Sequence, residues 1–206
     1  MELLTGLCFC PACLDACARA GLDAVRLQVR VRTWAEQLLN EERGALPLSF
    51  RHAEPAALLL AIPGLADFLG WRATQVTRLV AEAAEAAHRY DAALEVIPAS
   101  FHRPSSRAWL EGADLAGLAR VADGLVILAY SADPAEVGAD LQWAAACAPD
   151  RLLIAGLNAC APCDSASGLA AQATAARDAG ATAIYYYNYG MLTERRLAWL
   201  ATANRA

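Results

Sequence analysis

Four of the seven cysteines of this 206-residue chain fall within ten residues, at Cys8, Cys10, Cys13 and Cys17. Cys10 and Cys13 form a C-x-x-C pair, "CPAC", and Cys160 and Cys163 form a second, "CAPC". Two such pairs can supply the four thiolates of a tetrahedral zinc or another thiophilic metal, so Cys10, Cys13, Cys160 and Cys163 are the candidate ligands. A C-x-x-C at a helix start also suits dithiol redox chemistry. In an Ala-rich chain a cysteine can equally be a small packing residue, the reading that fits Cys17 and Cys147 in their helical patterns. An odd number of cysteines argues against a complete disulfide framework.

A second set of candidates carries oxygen and nitrogen. Glu95 lies inside the apolar stretch "AALEVIPA", where a carboxylate is costly unless paired or functional. His102 follows that stretch and Asp133 follows the next one, so Glu95, His102 and Asp133 are the candidate proton-transfer or nucleophilic groups. Tyr130, Asn158, Tyr187 and Asn188 end three further apolar stretches and are the candidate substrate-binding groups: rings to stack, amides to bond hydroxyls. Each has a plainer reading beside it. Asp133 precedes Pro134 at a helix start and suits an N-cap, and Tyr185, Tyr187 and Tyr189 can pack under helices.

The elements that must position these residues are legible mainly in the second half. Residues 92–99, 123–131, 151–159 and 181–189 are short apolar runs bounded by turn residues and predict strands. Helical patterns at 114–122, 133–148, 165–180 and 193–206 alternate with them, at the spacing of parallel βαβ units. Strand alternation turns Leu94 and Val96 toward helices and Glu95 away from them. Residues 1–90 are mostly helical, over 22–42 and 65–90, with a short strand expected at 2–9. The whole reads as one α/β domain, residues 1–206. In such sheets chemistry gathers at the C-terminal strand ends, where the candidates other than Glu95 lie. Both C-x-x-C pairs are therefore expected on one rim, close in space. No phosphate-binding glycine signature follows any strand, which disfavours a dinucleotide fold.

The stretches "LCFCPAC", "LEVIPASFHRP", "VILAYSADPAEV" and "YYYNYGMLTERRLAWL" together resemble the C-terminal part of bacterial barrel proteins similar to glycoside hydrolases. The resemblance covers most of the chain and implies a partial, half TIM-type β/α barrel of four to five parallel strands, with the first strands lying before Met1. It further implies a protein that acts on or binds a carbohydrate or other small polar ligand, or an incomplete or inactive fragment of one. Glycoside hydrolysis needs two carboxylates, and Glu95 is the stronger candidate here. An unfinished barrel exposes parallel edges, which implies self-association or a missing N-terminal half-barrel as partner. The alternatives are a non-catalytic, metal-stabilised α/β domain and a thiol-dependent oxidoreductase.

Composition narrows the classes. With 57% hydrophobic and 19% charged residues the chain can build a core. A net charge of −5 without a basic run excludes a sequence-independent nucleic-acid binder. The longest apolar run, Ala56 to Ile62, is too short to span a bilayer, and no signal peptide is visible, so a cytoplasmic, reducing location is expected.

Overall fold

The structure, a computed structural model, describes residues 7–41, 59–93, 95–96, 112–160 and 163–205. They fall into two compact units: the first comprises residues up to Gln75 together with Gly112, the second the remainder.

The first unit is helical. Its helices are α1 (Pro11–Arg19), α2 (Ala24–Glu41) and the opening turns of α3 (Leu65–His88), which continues into the second unit. Helix α1 starts at Pro11 because proline has no N–H to leave unpaired there, with Cys10 as N-cap. It stops at Gly21, whose φ of +78° suits glycine. The N–H of Leu22 then bonds the carbonyl of Cys17 and that of Gly21 the carbonyl of Ala18, which closes a Schellman turn. One turn later Asp23 caps α2 by accepting from the Arg26 N–H at 3.0 Å. Cys17, Leu27, Val31, Ile62, Leu65 and Phe68 form the buried centre of this unit. Phe9 stacks on Phe68 at 5.3 Å and so ties the segment ahead of α1 to that centre.

The second unit is an open, parallel sheet. Strands β2 (Gly124–Leu128), β3 (Leu152–Asn158) and β4 (Ala183–Tyr187) are its full members, and β1 (Glu95–Val96) adds two residues at the edge. The spatial order is β1-β2-β3-β4. Helices α4 (Leu115–Val121), α5 (Pro134–Cys147), α6 (Ala166–Asp178) and α7 (Glu194–Ala203) alternate with the strands, and α5 and α7 each pack on α6. Strands β2 and β3 are nearly continuous apolar runs because both are central and parallel. One face carries Leu125, Ile127, Leu153, Ala155 and Leu157 into a core shared with Leu141, Leu169 and Trp199 of the helices.

The half-barrel expectation is overturned. Among the described residues, three longer strands and the Glu95–Val96 pairing make an open sheet in a mixed α/β protein, not a four-to-five-strand half barrel. A barrel closes only when strand number, tilt and stagger agree, and the described strands are too few to close one. The strand expected at 2–9 also fails where it can be checked: Leu7–Phe9 carry no strand, and the rest lies outside the described residues. Among the described residues no helix is long and apolar enough to cross a membrane.

Leu157 is fully buried near the C-terminal end of β3, whereas Leu152 at its start is 40% exposed. Leu157→Ala should therefore cost about 2–5 kcal/mol through lost burial and an unfilled cavity. Leu152→Ala should cost about 1 kcal/mol or less. Urea unfolding of the two variants, with unchanged m-values, checks the difference.

Candidate functional site

Three sulfurs converge at the start of α1. The Sγ atoms of Cys8, Cys10 and Cys13 all lie within 4.8 Å of one another. Local geometry produces this. Cys10 is the N-cap, Cys13 is the third residue of the helix, and Cys8 lies two residues ahead of the cap, next to Phe9 and its stack on Phe68. Cys8 and Cys10 are exposed and Cys13 is half-buried. Cys17, one turn further on, is fully buried and outside the group.

The electrostatics follow from that crowding. Cys10 is held below the ordinary thiol range, first by the backbone N–H of Cys13 and then by the thiols of Cys8 and Cys13. The N–H acts without closing a capping hydrogen bond of good geometry. Cys13 is pushed up to about 12, first by its hydrogen bond with the Cys8 thiol and then by burial and Cys10. Without a cation, the crowding sets Cys10 and Cys13 apart, the first lowered and the second raised. A bound cation reverses this logic and draws protons from all its ligands. The upper bound of 4.8 Å on the sulfur separations is compatible with the roughly 3.5–4 Å edge of a tetrahedral zinc–thiolate site.

The second C-x-x-C is built differently. Cys163 is 3% exposed in the helix-facing core, and its thiol donates to the Ser165 carbonyl at 3.5 Å. Burial pushes this thiol up, while the Ser165 backbone and Arg196 favour the thiolate and pull it down and Asp164 raises it. The loop containing both cysteines is organised by Arg196. Its guanidinium donates to the carbonyls of Ala159 at 2.7 Å, Cys163 at 2.9 Å and Cys160. It also lies 4.9 Å from the centre of the Trp199 ring. These pairings explain why Cys163 packs rather than presents a ligand. The metal-compatible group in the first unit includes Cys8 in addition to Cys10 and Cys13. The C-x-C-x-x-C spacing carried that signal.

Of the strand candidates, Glu95, Asn158 and Tyr187 fall on the sheet face opposite Leu125, Ile127 and the other residues of the helix-side core. Pairing of Glu95 with Gly124, Gly124 with Leu152, and Gly156 with Tyr185 carries Glu95 and Tyr185 onto one face. The Tyr185 hydroxyl donates to Glu95 Oε2 at 2.7 Å. That carboxylate, aided by desolvation, raises the Tyr185 pKa. Tyr130 and Tyr187 meet at 5.5 Å between ring centres, and burial followed by Tyr187 raises the Tyr130 hydroxyl. Asp133 accepts from the Ala135 N–H at 2.9 Å as the N-cap of α5. Asn158 and Asn188 turn their Oδ1 atoms back on the N–H groups of Cys160 and Gly190, at 2.9 and 3.2 Å. His102 lies outside the described residues. The structure thus brings together Glu95 with Tyr185, and Tyr130 with Tyr187. Asp133, Asn158 and Asn188 spend their oxygens on local turns.

The tyrosine run faces the other way from packing under helices. Tyr186 is the residue packed against the helix-side core, with its hydroxyl donating to Asn204 at 2.9 Å. Tyr185, Tyr187 and Tyr189 are 46%, 48% and 77% exposed. Ile184, packed against the core, sets the alternation.

No family model, no curated protein and no solved structure matches this chain. The functional reading therefore rests on the geometry above.

Glu95→Gln should lower the Tyr185 pKa toward the ordinary phenol range. The neutral hydroxyl bonds the carboxylate, whereas tyrosinate is repelled by it. A raised folded-state pKa stabilises the fold below the unfolded phenol value near about 10, and that contribution disappears as pH rises through the folded pKa. NMR titration of ring-labelled tyrosines should show one resonance moving to lower pH in the variant. An unchanged Tyr185 titration would show that the pair does not form in solution.

Proposed function

We propose that this chain is a thiolate metal-binding protein, in which Cys8, Cys10 and Cys13 hold one thiophilic cation, zinc foremost, at the start of α1. The observation that carries the reading is the mutual 4.8 Å approach of three sulfurs. An all-sulfur donor set favours zinc, copper(I) or iron–sulfur chemistry over magnesium or calcium. Three protein ligands leave the fourth position of a tetrahedron to solvent or to another donor. The metal would then fasten the segment carrying Phe9 to α1 and so to the core of the first unit. Free thiols and a reducing compartment suit such a site.

Protein purified without chelator should contain one zinc per chain. Cys10→Ser and Cys13→Ser should each weaken zinc binding by more than the roughly 10–100-fold that loss of an outer-shell partner costs. Cys147→Ser and Cys163→Ser, which alter packed thiols, should leave affinity unchanged. Elemental analysis with chromogenic zinc-release titration reads both. A metal-free, fully folded protein that does not take up added zinc would sink the reading.

A second reading rests on the Tyr130–Tyr187 pair beside the Glu95–Tyr185 hydrogen bond. Two rings and a carboxylate on one sheet face suit a carbohydrate or similar polyol, with the rings stacking and Glu95 accepting from hydroxyls. We infer binding rather than hydrolysis, because Asp133, the second carboxylate candidate, caps α5 through the Ala135 N–H. Calorimetric titration with oligosaccharides should give a saturable signal that Tyr187→Ala abolishes. The same titration without heat for any sugar would dismiss it.

A further inference from the structure

Cys10 and Cys13 occupy the N-cap and third positions of α1, with Pro11 between cap and helix. Helix geometry sets residues three apart at about 5 Å between Cα atoms. A disulfide accepts roughly 4.4–6.8 Å. The two sulfurs already lie within 4.8 Å, Cys10 exposed and Cys13 half-buried behind it. A rotation about χ1 therefore separates the dithiol from a disulfide, with no backbone rearrangement. The other C-x-x-C lacks this access, because Cys163 is 3% exposed and its thiol is bonded to the Ser165 carbonyl. Cys17 is sealed in the core of the first unit, so it stays out of the exchange.

We propose that Cys10 and Cys13 form a dithiol–disulfide couple that exchanges with small-molecule disulfides, and that metal on the same sulfurs blocks the exchange. The blocking clause rests on the metal reading above; the couple itself does not. The Cys10 thiolate, the exposed sulfur, attacks one sulfur of the small disulfide. The S–S bond breaks, a Cys10 mixed disulfide forms, and the first thiolate leaves. Cys13 loses its proton to solvent and attacks Cys10, expelling the second thiolate. Two electrons have passed to the small disulfide, which ends as two thiols, and the Cys10–Cys13 bond is the oxidised product. Cys8 stays a thiol throughout. When a cation holds the three sulfurs, their lone pairs are engaged and the attacking thiolate is withdrawn.

The test uses the full chain equilibrated in mixtures of reduced and oxidised glutathione, with and without saturating zinc. Free thiols are alkylated and each cysteine is read by peptide mass spectrometry. The metal-free protein should lose alkylation at Cys10 and Cys13 together, in one two-electron transition, while Cys8 stays alkylated. Cys13→Ser should stop at a glutathione adduct on Cys10. Zinc should raise the oxidised glutathione needed by a factor of about 1 + [Zn]/Kd. Pairing of Cys10 with any other cysteine, or no disulfide at any ratio, overturns the couple. Zinc bound without a disulfide forming leaves the metal reading standing and removes this inference. A disulfide formed in protein that binds no zinc removes the metal reading and the blocking clause, and upholds the couple. A transition unmoved by bound zinc overturns the blocking clause alone.

Discussion

The second unit depends on β3. Its backbone pairs with β2 on one edge and β4 on the other, so it has no free side and its residues Leu153 to Leu157 are buried. Parallel pairing admits only apolar side chains there, because helices α5 and α6 cover one face and the neighbouring strands hold both edges. Gly156 shows how tight the layer is. A Cβ at that position would meet a Leu128 methyl at 3.1 Å and the Ile127 carbonyl at 3.3 Å. From this strand everything else in the unit takes its place. The register of β3 with β4 sets which tyrosines enter the core, and its C-terminal end delivers the Cys160–Cys163 loop to Arg196.

Arg196 is a consequence of that placement. A loop that leaves a buried strand turns carbonyls inward, and unpaired carbonyls are costly. A single guanidinium from the first turn of α7 satisfies three of them and rests on Trp199, itself 9% exposed. Arginine suits this role because its donors are fixed in a plane and its charge is weakly hydrated. The same bonds commit the second C-x-x-C to structure. The first C-x-x-C begins its helix with no such clamp, and its sulfurs meet one another instead.

Much of this was legible from the chain alone. Strands at 124–128, 152–158 and 183–187 fall inside the expected runs, as do the helices 134–147, 166–178 and 194–203. The expected helices 22–42 and 65–90 enclose α2 and α3 almost to the residue. The cysteine group was legible for the same reason: residues at spacing two and three around a proline-started helix are brought together by local geometry. Cys8 belongs to no C-x-x-C pair; it joins the group through the C-x-C that overlaps the first pair.

What the sequence by itself determined was local: periodicity set the elements, proline and glycine set their ends, and short spacing assembled three sulfurs. What only the tertiary structure decided was pairwise and long-range. Glu95 meets Tyr185 across ninety residues, and Arg196 reaches Ala159 across thirty-seven, because strand register and helix packing bring them together. No local pattern encodes such a pairing. The extent of the sheet was decided there as well. A strand forms where a partner edge supplies hydrogen bonds, as Glu95–Val96 does beside β2, and among the described residues an expected barrel becomes an open sheet.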